Sequence, residues 1–506
     1  MRRPGFWGPA LLASGALHTA SFAPLGWWPL QILALALLAL GVQGAAPRQA
    51  AWRGFAFGMG WLVSGLWWLY ISMHDYGGLP APLAGLAVVV LAAVLSLYFA
   101  GAVALFAWLR TGRPLLDVPA FAACWLLAEL ARAQWFTGFP WIASGYAHSD
   151  GPLAALAPWV GVYGMGAVAA LTAAAIAGLV RPLAGRRPAW VPLVLALVVV
   201  GAPWAAPREF SQTTGRLRVS LLQPNVPQDL KFDPERIATD MAALQVQLQA
   251  ARGDLVVTPE SVLPVPRDRL DDAYWQQLIA PFRSGTRAAL IGTFLGNEQE
   301  GYVNSLVGVT AAGDGYAYGK RHLLPFGEYV PPGFRWFVDM MQIPLGDQAS
   351  GRSQAPFVAG GQRLRPLICY EDLFGEAMVD SAGDGSDAAT ILVNVSNLAW
   401  FGRHMVQAQD LQFTRLRALE FQRPVIRATN TGATAVVDHG GRVTAQLEAD
   451  TYGTLETEVE GRSGVTPYAR WLGLFGLWPL WGLALAAVVA ARAAPLLGAQ
   501  GRGRQD

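Results

Sequence analysis

Two cysteines occur in 506 residues, in very different settings. Cys124 lies inside a long apolar stretch, whereas Cys369 ends the short run Leu367-Ile368-Cys369 and is followed by Tyr370, Glu371 and Asp372. They cannot pair, because a bilayer-length segment holds one of them. Cys369 is therefore a lone thiol. A strand, a sharp turn and a helix around it would expose the sulfur, aim backbone N–H groups at a reacting oxygen and lower the thiol pKa. An inert buried cysteine fits the same setting equally well. Lysine usage weighs between the two readings: Lys231 and Lys320 are the two lysines in a chain that otherwise writes its positive charge as arginine. A lysine in such a chain points to a site wanting a compact ammonium rather than a planar fork. Lys320 follows a strand. Lys231 stands among Asp229, Asp233 and Glu235 and reads as a solvated surface pairing. A third element, Thr258-Pro259-Glu260-Ser261, sets a carboxylate past the end of a buried strand. An apolar pocket would raise its pKa into the range of a general base; a turn cap is the plainer alternative. Three strand ends carrying Glu260, Lys320 and Cys369 can meet at one edge of a sandwich. Glu260 would take the thiol proton, Cys369 would attack an acyl carbon, and Lys320 with the Tyr370 N–H would hold the oxyanion.

The elements that must position these groups are read from residue 216 onward. Strands at Arg218–Gln223, Asp254–Thr258, Ala288–Thr293, Asn304–Thr310, Tyr316–Gly319, Leu364–Cys369 and Thr390–Val395 alternate with helical patterns at Pro234–Ala251, Asp271–Phe282 and from Gly375. A helix at Met405–Phe421 follows, then hairpin strands at Val425–Ala428, Ala433–Asp438, Arg442–Ala445 and Thr454–Glu458. The pattern predicts an α/β layered sandwich. Met340–Gln354 has weak periodicity and several Gly, Gln and Ser, and reads as a long mobile loop or lid.

Before this region the texture is different. The whole chain is 53% hydrophobic and 14% charged, far below the ~25% charged of ordinary soluble domains, which argues against a purely soluble protein. Residues 1–205 carry a net charge of +6 and residues 216–467 one of −7. An acidic domain would repel phosphate, so nucleic acid is excluded as a partner. Stretches near 6–22, 27–44, 54–73, 82–109, 118–135, 153–180 and 189–205, and one at 471–491, each approach the ~20 apolar residues of a membrane helix. The expected organisation is seven transmembrane helices in 1–205, a catalytic domain in 216–467, a last span at 471–491 and a basic tail at 492–506. Arg2/Arg3, Arg48/Arg53, Arg110/Arg113, Arg181/Arg186/Arg187 and Arg492/Arg502/Arg504 fall on one side, and the alternate short loops carry no Lys or Arg. The basic side is cytoplasmic, which places both termini inside and 206–470 outside. Aromatics crowd the outer ends, among them Trp27, Trp68, Trp135, Phe136, Trp141, Tyr146 and Tyr163, as an interfacial belt would. Glu129 and Arg132, three apart in one span, are placed to pair inside the bundle.

Several longer words carry a resemblance. They are Gln223–Gln228 (QPNVPQ), Thr258–Ser261 (TPES), His322–Pro331 (HLLPFGEYVP), Ile368–Glu371 (ICYE), Asn397–Gly402 (NLAWFG) and Arg415–Glu420 (RLRALE). With Glu260, Lys320 and Cys369 in this order, the chain resembles the nitrilase (carbon–nitrogen hydrolase) superfamily. With spans on both sides it is similar to the apolipoprotein N-acyltransferase family of the bacterial inner membrane. The resemblance implies an α-β-β-α sandwich beside about eight membrane helices, and a phospholipid-dependent N-acyltransferase. Its sn-1 acyl chain would pass through a Cys369 thioester to the α-amino group of a diacylglyceryl-cysteine on an apolipoprotein. It implies a monomer that needs no cofactor, with Glu328, Tyr370 and Glu371 as supporting or oxyanion residues. An acyl groove walled by Phe326, Tyr329, Trp336, Phe337, Met340, Met341 and Trp400 would keep water from the thioester. No metal is expected: His404 and His439 are isolated and lack ligand spacing. The sequence departs from the family at Leu398, where Asp is usual, and at Phe232, where Trp is common. A membrane-tethered amidase with the same triad, and a transporter with an external binding domain, are the competing readings.

Overall fold

The computed structural model describes residues 6–180, 190–340, 347–352, 355–381, 383, 385 and 387–500. The chain divides into two compact units, one of Met1–Trp67, Gly85–Arg208 and Leu474–Asp506, the other of Trp68–Ala84 and Glu209–Gly473.

The first unit is helical. Three helices among the described residues are long and apolar enough to cross a membrane: Ala81–Leu109, Pro114–Thr137 and Pro152–Val180. Two further candidates are broken, Pro47–Leu66 with Leu69–Tyr76 and Pro467–Phe475 with Trp478–Ala493, while Pro29–Val42 and Trp190–Trp204 are shorter apolar helices. By length the count is thus three to five, where hydropathy alone marks eight apolar stretches. Glu129 and Arg132 do pair, at 3.2 Å with both side chains buried. Arg132 Nη1 also donates to the carbonyls of Phe139 and Trp141, and Ser144 donates to Glu129 from its backbone and its hydroxyl. The polar pair is hydrogen-bonded on both sides, as a charge buried among apolar helices must be. The aromatics split: Trp27, Trp135 and Phe136 are exposed, but Trp141, Tyr146 and Tyr163 are buried and serve packing, as does the buried Trp68, which belongs to the second unit.

Among its described residues the second unit has twelve strands in two six-stranded sheets. The first sheet holds β1 (Ser211–Gln223), β2 (Leu255–Val257), β3 (Ala288–Asn297), β4 (Gly301–Thr310) and β5 (Gly313–Gly319). The second holds β6 (Phe357–Ala359), β7 (Gln362–Ile368), β8 (Ile391–Ser396), β9 (Val425–Thr429), β10 (Ala435–Val437) and β11 (Val443–Gln446); β12 (Gly453–Gly464) returns to pair with β1. The strand order is β12-β1-β2-β3-β4-β5 in one and β11-β10-β9-β8-β7-β6 in the other. Period-two alternation gives each strand two working faces. Val219, Leu221, Leu255, Val257 and Leu290 face Ile368, Val393, Ile426 and Val436 in the core between the sheets. Val256, Ala289 and Ile291 turn the other way, onto Leu244 and Leu248 of the helix Pro234–Ala250 and Trp275 and Leu278 of the helix Asp272–Ile279. Asp233 caps the first of these helices by accepting from Glu235 N, and Pro234 fits its first turn. With the helix Met405–Phe421 in the second half of the unit, the α/β layered sandwich expected from the sequence is what forms.

Direction matters for the site. β1, β2 and β3 run parallel, and β5 lies two antiparallel steps beyond β3, so β2 and β5 point the same way. β7, β8 and β9 are parallel to one another. The residues that follow β2, β5, β7 and β8 are therefore free to gather.

The loop expected to be mobile is partly pinned. Residues 341–346 and 353–354, Met341 among them, lie outside the described residues. In between, Gln348 N donates to Glu328 O at 2.7 Å, Ala349 N to Tyr302 O at 2.9 Å and Gly351 N to Lys320 O at 2.7 Å. Composition cannot show such backbone ties.

Candidate active site

Cys369 follows β7 with φ +53°, a left-handed conformation that costs a non-glycine residue of order 1–3 kcal/mol. The strain turns the chain sharply into a short 3₁₀ turn, Cys369–Leu373, rather than into the expected helix. The thiol pKa is not lowered. Burial pushes it up and Glu260 adds to the rise, while Lys320 pulls the other way without cancelling them. The resting sulfur is thus a thiol, and it needs a base.

That base is at hand. Glu260 is buried two residues beyond Thr258, which β3 fixes through Thr258 N to Leu290 O and Gly292 N to Thr258 Oγ1. Glu260 Oε1 accepts from Asn304 Nδ2 at 2.7 Å and lies 3.4 Å from Lys320 Nζ; Oε2 accepts from Asn397 N at 2.8 Å. Lys320 follows β5, its N–H held by Asn304 O, and its ammonium also meets Glu328 Oε1 at 2.7 Å. Burial works against that charge, but Glu328, Glu260 and Cys369 outweigh it and hold Lys320 well above its ordinary pKa. Glu328 is buried too and accepts from Leu324 N; burial pushes its carboxyl up despite Lys320. A permanently charged ammonium, two carboxylates and a neutral thiol are the parts of nucleophilic acyl transfer.

The structure sorts the supporting residues. Glu371 Oε1 accepts from Arg321 N and His322 N, and Oε2 from Tyr318 Oη and Ile368 N. A carboxylate so engaged ties the lysine strand to the cysteine turn and is no oxyanion partner. Tyr370 is buried beside Phe374 and His322. Below the turn, Arg427 joins Asp372, Thr414 and Asp410. Of the expected groove residues, Phe326, Phe337 and Trp336 gather with Phe334 in edge-on contacts of 5.4–5.9 Å. Tyr329 accepts from Phe326 N, and Met340 is exposed next to the undescribed Met341. Trp400 packs instead on Tyr76. Among the described residues no group of three or more His, Cys, Asp and Glu is arranged to hold a metal.

Sequence assigned Asn304 no role, marked Asn397 as nothing more than the first residue of the NLAWFG word, and read Lys231 as a surface charge. Nothing local signals the two asparagines, since their partners lie 44 and 137 residues away. Lys231 corrects the surface reading: it is buried, and its ammonium donates to Ser261 Oγ at 2.8 Å, beside Glu260. Burial pushes its pKa down to about 8 from 10.5, with Glu260 partly opposing. The unfolded chain therefore binds more protons between those values, and the cost of the buried charge is full below pH 8 and gone above 10.5. K231M is expected to raise the melting temperature at pH 7, by the equivalent of about 2 kcal/mol after loss of the hydrogen bond, with the gain vanishing by pH 10.5. Melting curves across that range check it; a pH-independent gain would contradict the sign.

Two family models match the chain: the apolipoprotein N-acyltransferase N-terminal domain over residues 14–175 and carbon-nitrogen hydrolase over residues 218–468. The apolipoprotein N-acyltransferase of Verminephrobacter eiseniae is 46% identical over 503 residues, covering 93% of each chain. That of Ralstonia nicotianae is 44% identical, covering 93% of this chain and 91% of its own, and that of Azotobacter vinelandii 40%, covering 96% and 94%. The chain belongs to the apolipoprotein N-acyltransferase family.

Proposed function

We propose that the protein transfers a fatty-acyl chain from the sn-1 position of a membrane phospholipid to the α-amino group of a diacylglyceryl apolipoprotein, by two displacements at Cys369. Glu260 takes the thiol proton as sulfur attacks the ester carbonyl. The C–S bond forms, the C–O bond breaks, and Glu260 returns the proton to the departing lysophospholipid oxygen. The acceptor amine then attacks the thioester, forming C–N and breaking C–S, and its surplus proton passes through Glu260 to the sulfur. Lys320 and the Tyr370 N–H hold the oxyanion in both halves, with Glu328 keeping Lys320 charged. The observation that carries this reading is the Lys320 ammonium wedged between Glu260 and Glu328 at the site where Cys369 ends its strand in a left-handed conformation.

The placement follows from charge. All eight apolar stretches cross the inner membrane, the Arg-bearing loops and both termini lie in the cytoplasm, and the catalytic unit faces the periplasm as a monomer. Both substrates then share one leaflet, and the cluster of Phe326, Trp336 and Phe337 shields the thioester from water.

Mass spectrometry of the purified protein mixed with phospholipid is the test. A long-lived fatty-acyl adduct on the peptide containing Cys369, discharged by an apolipoprotein amine, is the expected result. Rapid release of free fatty acid without an adduct would favour a hydrolase instead.

A further inference from the structure

The apolar run around 54–73 reads as one span, yet its outer part folds elsewhere. The boundary between the two units falls between Trp67 and Trp68, and Trp68–Ala84 belongs to the unit that carries Cys369. There the chain makes one α turn, Leu69–Ile71, and passes into a π-helical turn, Ser72–Tyr76. Such turns are rare and concentrate at functional sites. Its exit is fixed by Leu79 N donating to Met73 O and by His74 Nδ1 against Leu79 O at 2.8 Å.

What this segment touches is specific. Trp68, 2% exposed, meets the Phe401 ring edge-on at 4.8 Å, and Tyr76 meets Trp400 edge-on at 6.0 Å. Ile71 lies so close to Gly402 that a Cβ there would stand 2.9 Å from Ile71 Cδ1, at a residue already held at φ +72°. Three consecutive residues, Trp400, Phe401 and Gly402, are each seated on it.

That loop starts at Asn397, whose N–H donates to Glu260 Oε2. The Asn397 side chain is fixed independently, donating to Gln228 Oε1 and accepting from Asn430 Nδ2. One end of the loop thus orients the carboxylate, and the other end is clamped by a segment that the sequence places in the membrane half.

We infer that Trp68 and Ile71 are positioning residues for Glu260, acting through the Asn397–Gly402 loop. The inference rests on the reading of Glu260 as the base that serves Cys369. Proton transfer needs heavy atoms within hydrogen-bond reach, and a misplacement of about 1 Å can cost on the order of 100-fold in rate. Loosening the clamp should therefore slow the chemical step while leaving phospholipid binding nearly intact.

The experiment uses the full-length protein in detergent with added phospholipid, comparing W68A, W68F and I71A. Two rates are read: formation of the acyl adduct on Cys369, and alkylation of Cys369 by iodoacetamide, which depends on the same proton removal. We expect W68A and I71A to lower both rates by roughly tenfold, with the phospholipid KM within about threefold of the parent, and W68F to restore both to within about threefold. Should W68A fail to stay monodisperse, I71A and W68F carry the comparison. Alkylation in the folded I71A or W68A protein that matches or exceeds that of the parent would overturn the inference, as would a loss confined to KM. If the parent itself forms no adduct, the acyl-transfer reading fails, and the alkylation rates still decide this one.

Discussion

C369S is expected to fold as the parent does and to lose acyl transfer by at least about 1,000-fold. The exchange replaces one side-chain atom and leaves the positive φ, the turn and its hydrogen bonds as they are, so stability has little reason to change. Chemistry has every reason. The Cys369 thiol is already held above its ordinary pKa by burial and Glu260, and an alcohol starts several units higher still. A carboxylate that can just take a proton from sulfur faces a far larger deficit with oxygen. The second half-reaction suffers as well, because an oxygen ester is much less reactive toward an amine than a thioester. Adduct mass spectrometry and turnover of an apolipoprotein acceptor measure the two halves separately. Undiminished turnover in C369S would remove the basis for the proposed reaction.

How much of this could be read in advance differs from residue to residue. Glu260, Lys320 and Cys369 were legible because each stands where a short apolar run stops, and strand ends are where side chains can leave a sheet together. The direction of the thiol pKa was not. It depends on what surrounds Cys369, and the turn after it is too short and the site too enclosed to favour a thiolate. The contacts of Asn304 and Asn397 with Glu260 could not be read because they are made on a carboxylate distant in sequence. Lys231 was misread because its ammonium is buried and donates to Ser261, a contact that the acidic residues beside it in sequence, Asp229, Asp233 and Glu235, do not announce. In the apolar half, composition marks eight stretches but cannot mark where a helix breaks. It misses the break after Leu66 and the one at Gly476, φ +57°, between Phe475 and Trp478.

E260Q separates the base from the scaffold that holds it. The amide keeps the volume of the carboxylate but replaces one acceptor oxygen with a donor. Whichever way it turns, that NH₂ meets another donor: Asn304 Nδ2 and Lys320 Nζ on one side, Asn397 N on the other. The variant therefore loses a proton acceptor and a buried hydrogen bond together, and acyl-enzyme formation should fall by about 1,000-fold, within the range of lost general-base catalysis plus misalignment. The residual rate carries its own signature. Without a base, sulfur must ionise unaided, and since the thiol sits above its ordinary pKa, the rate in E260Q should climb close to tenfold per pH unit through the neutral range. E328Q is the control that gives this meaning. It removes the negative charge of the 2.7 Å partner of Lys320 while leaving Glu260 able to take a proton, so its loss should be nearer tenfold and should lack the steep pH slope. Equal losses and equal slopes in the two variants would mean that the charge on Lys320, rather than proton removal by Glu260, sets the rate of the first displacement.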